Sequence, residues 1–236
     1  MRGEKSVGYK IVNCIHEHLK SESNSFKILT ANNNSINFCE GCLNCFKTGY
    51  CPLDLKDNLN VMKDMMKWAD VLIIASPVYL HQVSGNIKTL IDRLSYWTHI
   101  FQLIGKRAIV CSETSTSGNE YAISYLKKAF SGMGGCVVGE IKVDINTSSM
   151  DLNEMVEKCI ENLEKSFICP NTLKSTMFQE ELFFVLKSKY MKLDTYESQF
   201  WRKNGLLLYE TFEELLNAEL TNGQKVQSPI EFPDKS

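Results

Sequence analysis

The sequence predicts an α/β protein: a doubly wound parallel sheet with a helical section added at its C-terminal end. Three observations carry this. Short apolar runs, Val71-Leu72-Ile73-Ile74-Ala75, Ala108-Ile109-Val110-Cys111 and Cys136-Val137-Val138, have the character of strands covered on both faces. Segments of helical period separate them. Beyond Cys169-Pro170 the strand-like runs stop.

Taken in order, residues 6–19 carry Val7, Ile11, Val12, Ile15 and Leu19 at helical spacing. Residues 25–30 are expected to be extended, the family of runs that follows being polar up to a cysteine-rich loop, residues 39–51. Residues 58–69 place Leu59, Met62, Met65, Met66 and Ala69 on one side of a helix, which leads into a strand that Ser76-Pro77 is expected to end. Ser84 is a candidate N-cap for a helix through Ile87, Leu90, Ile91 and Leu94. A strand over 107–111, a polar loop over 112–118, a helix over 119–133, a strand over 136–143 and a helix over 151–167 complete the alternation. Residues 172–220 keep helical spacing and are rich in aromatics, including Phe183, Tyr190, Trp201 and Phe212. They are expected to pack on the α/β body or on a second subunit. The expected division is therefore 1–169, 170–223, and a loosely ordered tail over 224–236, which contains Pro229 and Pro233.

Composition narrows the function classes. The 236 residues are 44% hydrophobic and 23% charged, with a net charge of −2, which gives no electrostatic case for nucleic acid or a membrane surface. No apolar run approaches the roughly 20 residues a bilayer crossing needs. The start, Met1-Arg2-Gly3-Glu4-Lys5, has no signal-peptide character. Nine cysteines, an odd number without an export signal, argue for a reducing cytoplasm and against a disulfide framework.

Four of those cysteines stand within thirteen residues: Cys39, Cys42, Cys45 and Cys51, followed by Pro52. Thiols so close are candidates for an iron–sulfur cluster, a zinc ion, a redox pair or a metal-free structural group. Zinc more often uses two C-x2-C knuckles across a longer loop, so two consecutive x2 spacers fit it less well. The five-residue last spacer, with Gly49 inside it, gives reach for all four thiols to serve one cluster. Cys14, Cys111, Cys136, Cys159 and Cys169 lie at helix or strand positions and are expected to be small core residues.

The cysteine run, the segment Ser76-Pro77-Val78-Tyr79 and the following Lys88-Thr89-Leu90-Ile91-Asp92-Arg93 together resemble the iron–sulfur flavoprotein and NAD(P)H-dependent FMN reductase family of the flavodoxin-like fold. That family's pattern is a C-x2-C-x2-C-x5-C loop, a strand ending in S/A-P-V-Y and a helix with K-x-L-x-D-R. The likeness covers about residues 2–165, and Phe200-Trp201-Arg202-Lys203-Asn204-Gly205 resembles a Y-W-x-x-x-G segment of longer members.

The resemblance implies an FMN at the carboxyl ends of the strands. Ser76, Pro77, Val78 and Tyr79 would border its pyrimidine edge and ring. Ser112, Thr114, Ser117 and Gly118 would form the second flavin-side loop, and Arg2, Lys5, Ser6 and Gly8 would hold the phosphate. It further implies a [4Fe–4S] cluster on Cys39, Cys42, Cys45 and Cys51, NAD(P)H as a possible donor, a small-molecule or protein electron carrier as acceptor, and a homodimer or homotetramer. No side chain is expected to act as acid or base, and His81 is expected at the flavin edge or simply at the surface. An FMN-only quinone or nitro-compound reductase and a zinc-stabilised, non-catalytic binding module are the alternatives. The sequence departs from the pattern twice. The family's apolar first strand, which precedes a G-S-P-R loop, is not found here: either the start is assigned too late, the sequence is a fragment, or the sheet is completed another way, since two neighbouring strands would otherwise lack partners. Asp54-Leu55-Lys56-Asp57 replaces a tighter K-D-D.

Overall fold

The computed structural model describes residues 5–223. The apolar runs pair in parallel, as expected: β1 (Val71–Tyr79) lies beside β3 (Arg107–Glu113), and β4 (Cys136–Val143) pairs along the other side of β3. Successive side chains of a strand point to opposite faces, and both faces of β3 are covered. Ile109 and Cys111 meet Ile11, Ile15, Val156, Ile160 and Leu163 of α1 (Val7–Leu19) and α7 (Ser149–Ile168). Ala108 packs with Leu59, Leu94 and Phe130, and Val110 with Ala122, Ile123 and Leu126. Those residues belong to the opposite layer, built around α3 (Leu59–Trp68), α4 (Gly85–Arg93) and α6 (Asn119–Gly132). The result is the expected doubly wound sheet with a helical C-terminal portion.

Helix ends follow local chemistry. Ser6 caps α1, its hydroxyl accepting from the Tyr9 N–H at 3.1 Å. Ser148 and Asp151 form a reciprocal capping box at the start of α7.

Two expectations need correction. The first strand does not stop at Ser76-Pro77. It runs on to Tyr79 and folds back through a two-residue antiparallel β2 (Gln82–Val83), giving the order β2-β1-β3-β4. Pro77 is tolerated because β2 pairs only Val78 and Tyr79, so no ladder partner requires a Pro77 N–H on that side. The second correction concerns residues 25–30, which join no strand. The Phe26 ring instead lies tilted against His16, with centroids 4.5 Å apart, and joins the core beneath α1.

One side of β1 pairs with β3 from Val71 to Pro77, whereas the other is paired only at Val78 and Tyr79 among the described residues. Val71 to Ala75 are accordingly half-buried, while Ala108 to Cys111 are fully buried. A cleft of about 430 Å³ lies nearby between Ser25, Lys27 and the Val61, Met65 and Trp68 side chains of α3.

The C-terminal section packs on the body of its own chain. It consists of α8 (Met177–Tyr190), α9 (Tyr196–Lys203) and α10 (Phe212–Gly223). Phe183, Tyr190, Trp201, Phe212 and Leu216 form an aromatic core into which the body inserts Phe101, 5.0 Å from Phe212 and 5.8 Å from Trp201. Buried Gln179 donates to the Ser131 and Gly135 carbonyls at 3.1 Å each, and Trp201 Nε1 donates to the His99 carbonyl at 2.7 Å. The tail expected over 224–236 lies outside the described residues. Cys111, Cys136 and Cys159 are buried as expected and Cys14 is half-buried, but Cys169 is exposed where α7 ends.

Backbone amides of Val71 to Ser76 that point away from β3 have no ladder partner among the described residues, so they should exchange with solvent about tenfold or more faster than those of β3. Hydrogen–deuterium exchange of peptides covering 71–76 and 107–112 measures this, and equal protection of the two would contradict the open side.

Candidate functional site

The carboxyl ends of β1 and β3 bring two loops together. After Tyr79 the chain turns at Leu80 and His81, both at positive φ (50° and 60°). Hairpin turns of this hand favour Asn-Gly, and two side-chain-bearing residues here store strain. The His81 ring explains what holds them: its Nε2 lies 3.0 Å from the Ser117 hydroxyl, and the ring stacks on Tyr121 at 5.3 Å. Gly118 sits beneath that ring at φ 99°, where an added Cβ would stand 2.6 Å from His81 Cδ2. Only glycine fits there.

Of the eight residues expected on these loops, two serve as internal braces. Ser76 is buried and its hydroxyl accepts from the Ser84 N–H at 2.9 Å. Ser112 is also buried and donates to Asn119 at 2.7 Å, while Asn119 reaches the Val143 carbonyl at 3.1 Å. Thr114 donates to the Ser117 carbonyl at 2.8 Å, which closes the second loop on itself. Pro77 and Val78 are half-buried, and Tyr79 leaves 64% of its surface exposed. Of these eight, Tyr79 and Ser117 are therefore open at the rim, beside the exposed Leu80, His81, Ser115 and Thr116.

The start of α1 faces the same end of the sheet. An added Cβ at Gly8 would lie 3.7 Å from Ala75 Cβ and 3.6 Å from Glu113 Oε2. Lys5 is exposed, Ser6 is engaged as the helix cap, and Arg2 lies outside the described residues. The helix N-terminus suits an anion, but Glu113 already puts a carboxylate against it. Sequence reasoning missed Glu113, because nothing local marks an acid at a strand end as facing a helix over a hundred residues earlier.

The cysteine loop is shaped by one short helix, α2 (Asn44–Thr48), entered at Leu43 and left at Gly49, both left-handed. Cys39 and Cys42 are exposed, Cys45 is half-buried and Cys51 is buried. Burial, and then the nearby Cys51 and Cys39 thiols, push the Cys45 thiol up. All nine cysteines are free. Among the described residues, no three Cys, His, Asp or Glu side chains gather closely enough to hold a metal. The donor set of four thiols nevertheless suits iron or zinc by chemistry.

The loop is fixed at both ends by one side chain. Arg93, the last residue of α4, is fully buried; Nη1 donates to the Asn37 carbonyl at 2.8 Å and to Asp57 at 2.7 Å, and Nη2 donates to Asp54 at 2.8 Å. Asn37 precedes Cys39 and the two aspartates follow Cys51. Lys63 completes the group, 2.5 Å from Asp54. Burial would push the Asp57 carboxyl up, but hydrogen bonds from Arg93, Asn37 and Leu59 outweigh it and hold the group below the usual carboxylate range. Arg93 Nε is buried without an acceptor among the described residues, a state that costs about 1–3 kcal/mol.

The C-terminal helices cover the outer side of the loop. The Tyr196 ring lies directly on Gly49, so that any Cβ there would overlap it, and Phe46 meets the edge of His99 at 4.8 Å. His99 is within 2.9 Å of the Tyr190 hydroxyl and 3.7 Å of Glu197. Burial and Lys189 push its pKa down against the opposing pull of Glu197.

Comparison with known proteins fits this arrangement. The model of the NADPH-dependent FMN reductase family matches residues 2–149, which include the cysteine loop and both loops at the strand ends. The chain belongs to this family. Within the family it is similar to an iron–sulfur flavoprotein of Clostridioides difficile, 30% identical over 131 residues, or 56% of this chain and 57% of that one. It is also similar to an iron–sulfur flavoprotein of Archaeoglobus fulgidus, 26% identical over 180 residues, covering 73% and 80% of the two chains. The match thus spans little more than half the length of the first relative. Among solved structures, RosB with a bound 8-demethyl-8-formylriboflavin-5′-phosphate intermediate superposes with a TM-score of 0.58 at 12% identity, covering 82% of this chain and 84% of that one. That likeness is one of fold. No described helix of this family member is long and apolar enough to cross a membrane.

Because its folded pKa is depressed, Asp57 contributes stability that is complete above the unfolded value of about 4 and is lost as pH falls through the lower folded value. Urea denaturation between about pH 6 and 2 should show a shallower acid loss for Asp57→Asn than for the wild type. Parallel curves would place the acid sensitivity elsewhere.

Proposed function

We propose that this chain is a flavin-dependent oxidoreductase that takes electrons from NAD(P)H or a reduced carrier through FMN and passes them on by way of a [4Fe–4S] cluster on Cys39, Cys42, Cys45 and Cys51. The observation that carries the flavin part is the meeting of the 76–81 turn and the 112–118 loop at the strand ends, locked by the His81–Ser117 contact, in a chain of this family. Ligands of open α/β sheets bind in that position. The names of the two relatives support the cluster part.

When bound, FMN supplies both two-electron and one-electron chemistry. The residues of the chain do the holding. Backbone groups of Pro77, Val78 and the 114–118 loop would border the flavin edge, and the exposed Tyr79 ring would form one wall. Buried Ser76 and Ser112 keep the two loops in place from beneath. The phosphate would lie at the start of α1 with Ser6, Gly8 and the Lys5 and Arg2 cations, where Glu113 opposes it. The acceptor is a small molecule or a protein carrier, the working unit is a homodimer or homotetramer, and the setting is the cytoplasm.

One observation favours a second reading, an FMN-only quinone or nitro-compound reductase: the thiols are not gathered into a metal-holding group among the described residues. The same observation counts against a zinc-stabilised binding module.

The visible spectrum of protein purified without oxygen decides between these. Flavin bands over a broad absorption that dithionite bleaches, with iron and sulfide in the protein, are expected. Cys42→Ser should remove the broad absorption and leave the flavin bands. Flavin bands alone would establish the second reading, and a colourless zinc protein would end both.

Glu113→Gln should tighten FMN binding roughly fivefold, about 1 kcal/mol, by removing a like charge from the phosphate end. Fluorescence titration of flavin-free protein measures it. Unchanged affinity would move the phosphate away from α1.

A further inference from the structure

We propose that Arg93 is the positioning residue of the cysteine loop: its forked guanidinium sets the separation of the loop's two ends, so that the loop accepts a thiolate-bound metal group. The inference deepens the cluster reading above and rests on it.

The loop from Asn37 to Asp57 contains a five-residue α-helix, the four-residue 3-10 helix Pro52–Leu55 and left-handed residues at Gly41, Leu43 and Gly49, and what joins its two ends is the pairing of Asn37 with Asp57. Arg93 holds that pair and Asp54 together from outside the loop. One terminal nitrogen reaches the Asn37 carbonyl and Asp57, and the other reaches Asp54. Asp57 closes the circle by accepting from the Asn37 N–H at 2.9 Å. The stretch before the first thiol and the stretch after the last are thereby bound to one rigid plane. A lysine could supply the charge but not the fork.

The charge bears on chemistry as well. The aspartates and cations of this buried group balance one another, since Asp54 and Asp57 face Arg93 and Lys63. Four thiolates around iron carry net negative charge, and hydrogen bonds and nearby charge are what tune such groups. Arg93 interacts electrostatically with Cys51, and its buried Nε–H has no acceptor among the described residues. Outer-shell partners of this kind typically change metal affinity by about 10–100-fold when lost.

The test uses the full chain, reduced and freed of metal, titrated anaerobically with Co(II), whose sulfur-to-cobalt absorption reports thiolate binding. Arg93→Lys should weaken cobalt binding about tenfold or more while circular dichroism shows a folded protein. Asp57→Asn, which keeps the shape of the acceptor, should weaken it in the same direction and decides the matter if Arg93→Lys does not fold. Asp151→Ala, which removes the distant α7 cap, serves as a destabilised control and should bind cobalt as the wild type does. Wild-type affinity in folded Arg93→Lys or in Asp57→Asn, or an equal loss in Asp151→Ala, overturns the positioning role alone. Absence of sulfur-to-cobalt bands in the wild type overturns the cluster reading together with it.

Discussion

The buried charge group around Arg93 is the constraint on which the arrangement of the candidate site depends. Burying a guanidinium is expensive unless its hydrogen bonds are made, and removing one partner of such a group leaves an uncompensated charge in the interior. Here the partners come from three separate stretches, residue 37, residues 54–63 and the end of α4. The fold therefore cannot release the cysteine loop without exposing or stranding charge. Hydrophobic burial assembles the layers, but it is indifferent to where a polar loop ends; directional bonds to one fork settle that question.

The loops at the strand ends rely on a different device. Ser76 and Ser112 occupy equivalent ladder positions on β1 and β3, and each turns its hydroxyl inward to brace the loop that follows. The strained Leu80–His81 turn is then held by contacts to Ser117 and Tyr121. Braces lie beneath and a clamp lies across, so the rim keeps its shape while its outer groups stay open to a ligand.

Much of this was legible in the sequence, and the reasons divide along physical lines. β3 and β4 could be read because strands buried on both faces need continuous apolar runs. The α7 helix could be read from its period, and Ser84 as the residue before α4. The β2 hairpin could not, since Leu80-His81 lacks the Asn-Gly chemistry that marks such turns. Residues 25–30 look extended but pair with no strand among the described residues, a tertiary condition that local pattern does not record. Arg93 belongs to a recognisable motif, yet its role depends on partners 36 to 56 residues away. The Asp54–Asp57 spacing, a departure from the family pattern, is what supplies two acceptors to one fork.

The contact between Tyr196 and Gly49 gives the chain a schedule. Protein synthesis adds about 5–20 residues per second, so α9 emerges roughly 7–30 s after the cysteine loop. During that interval the nascent loop lacks the cover that the Tyr196 ring later places on Gly49. The order of the sequence thus separates a time when the loop exists without this cover from the finished chain, in which Cys39 and Cys42 of its four thiols are exposed, Cys45 is half-buried and Cys51 is buried.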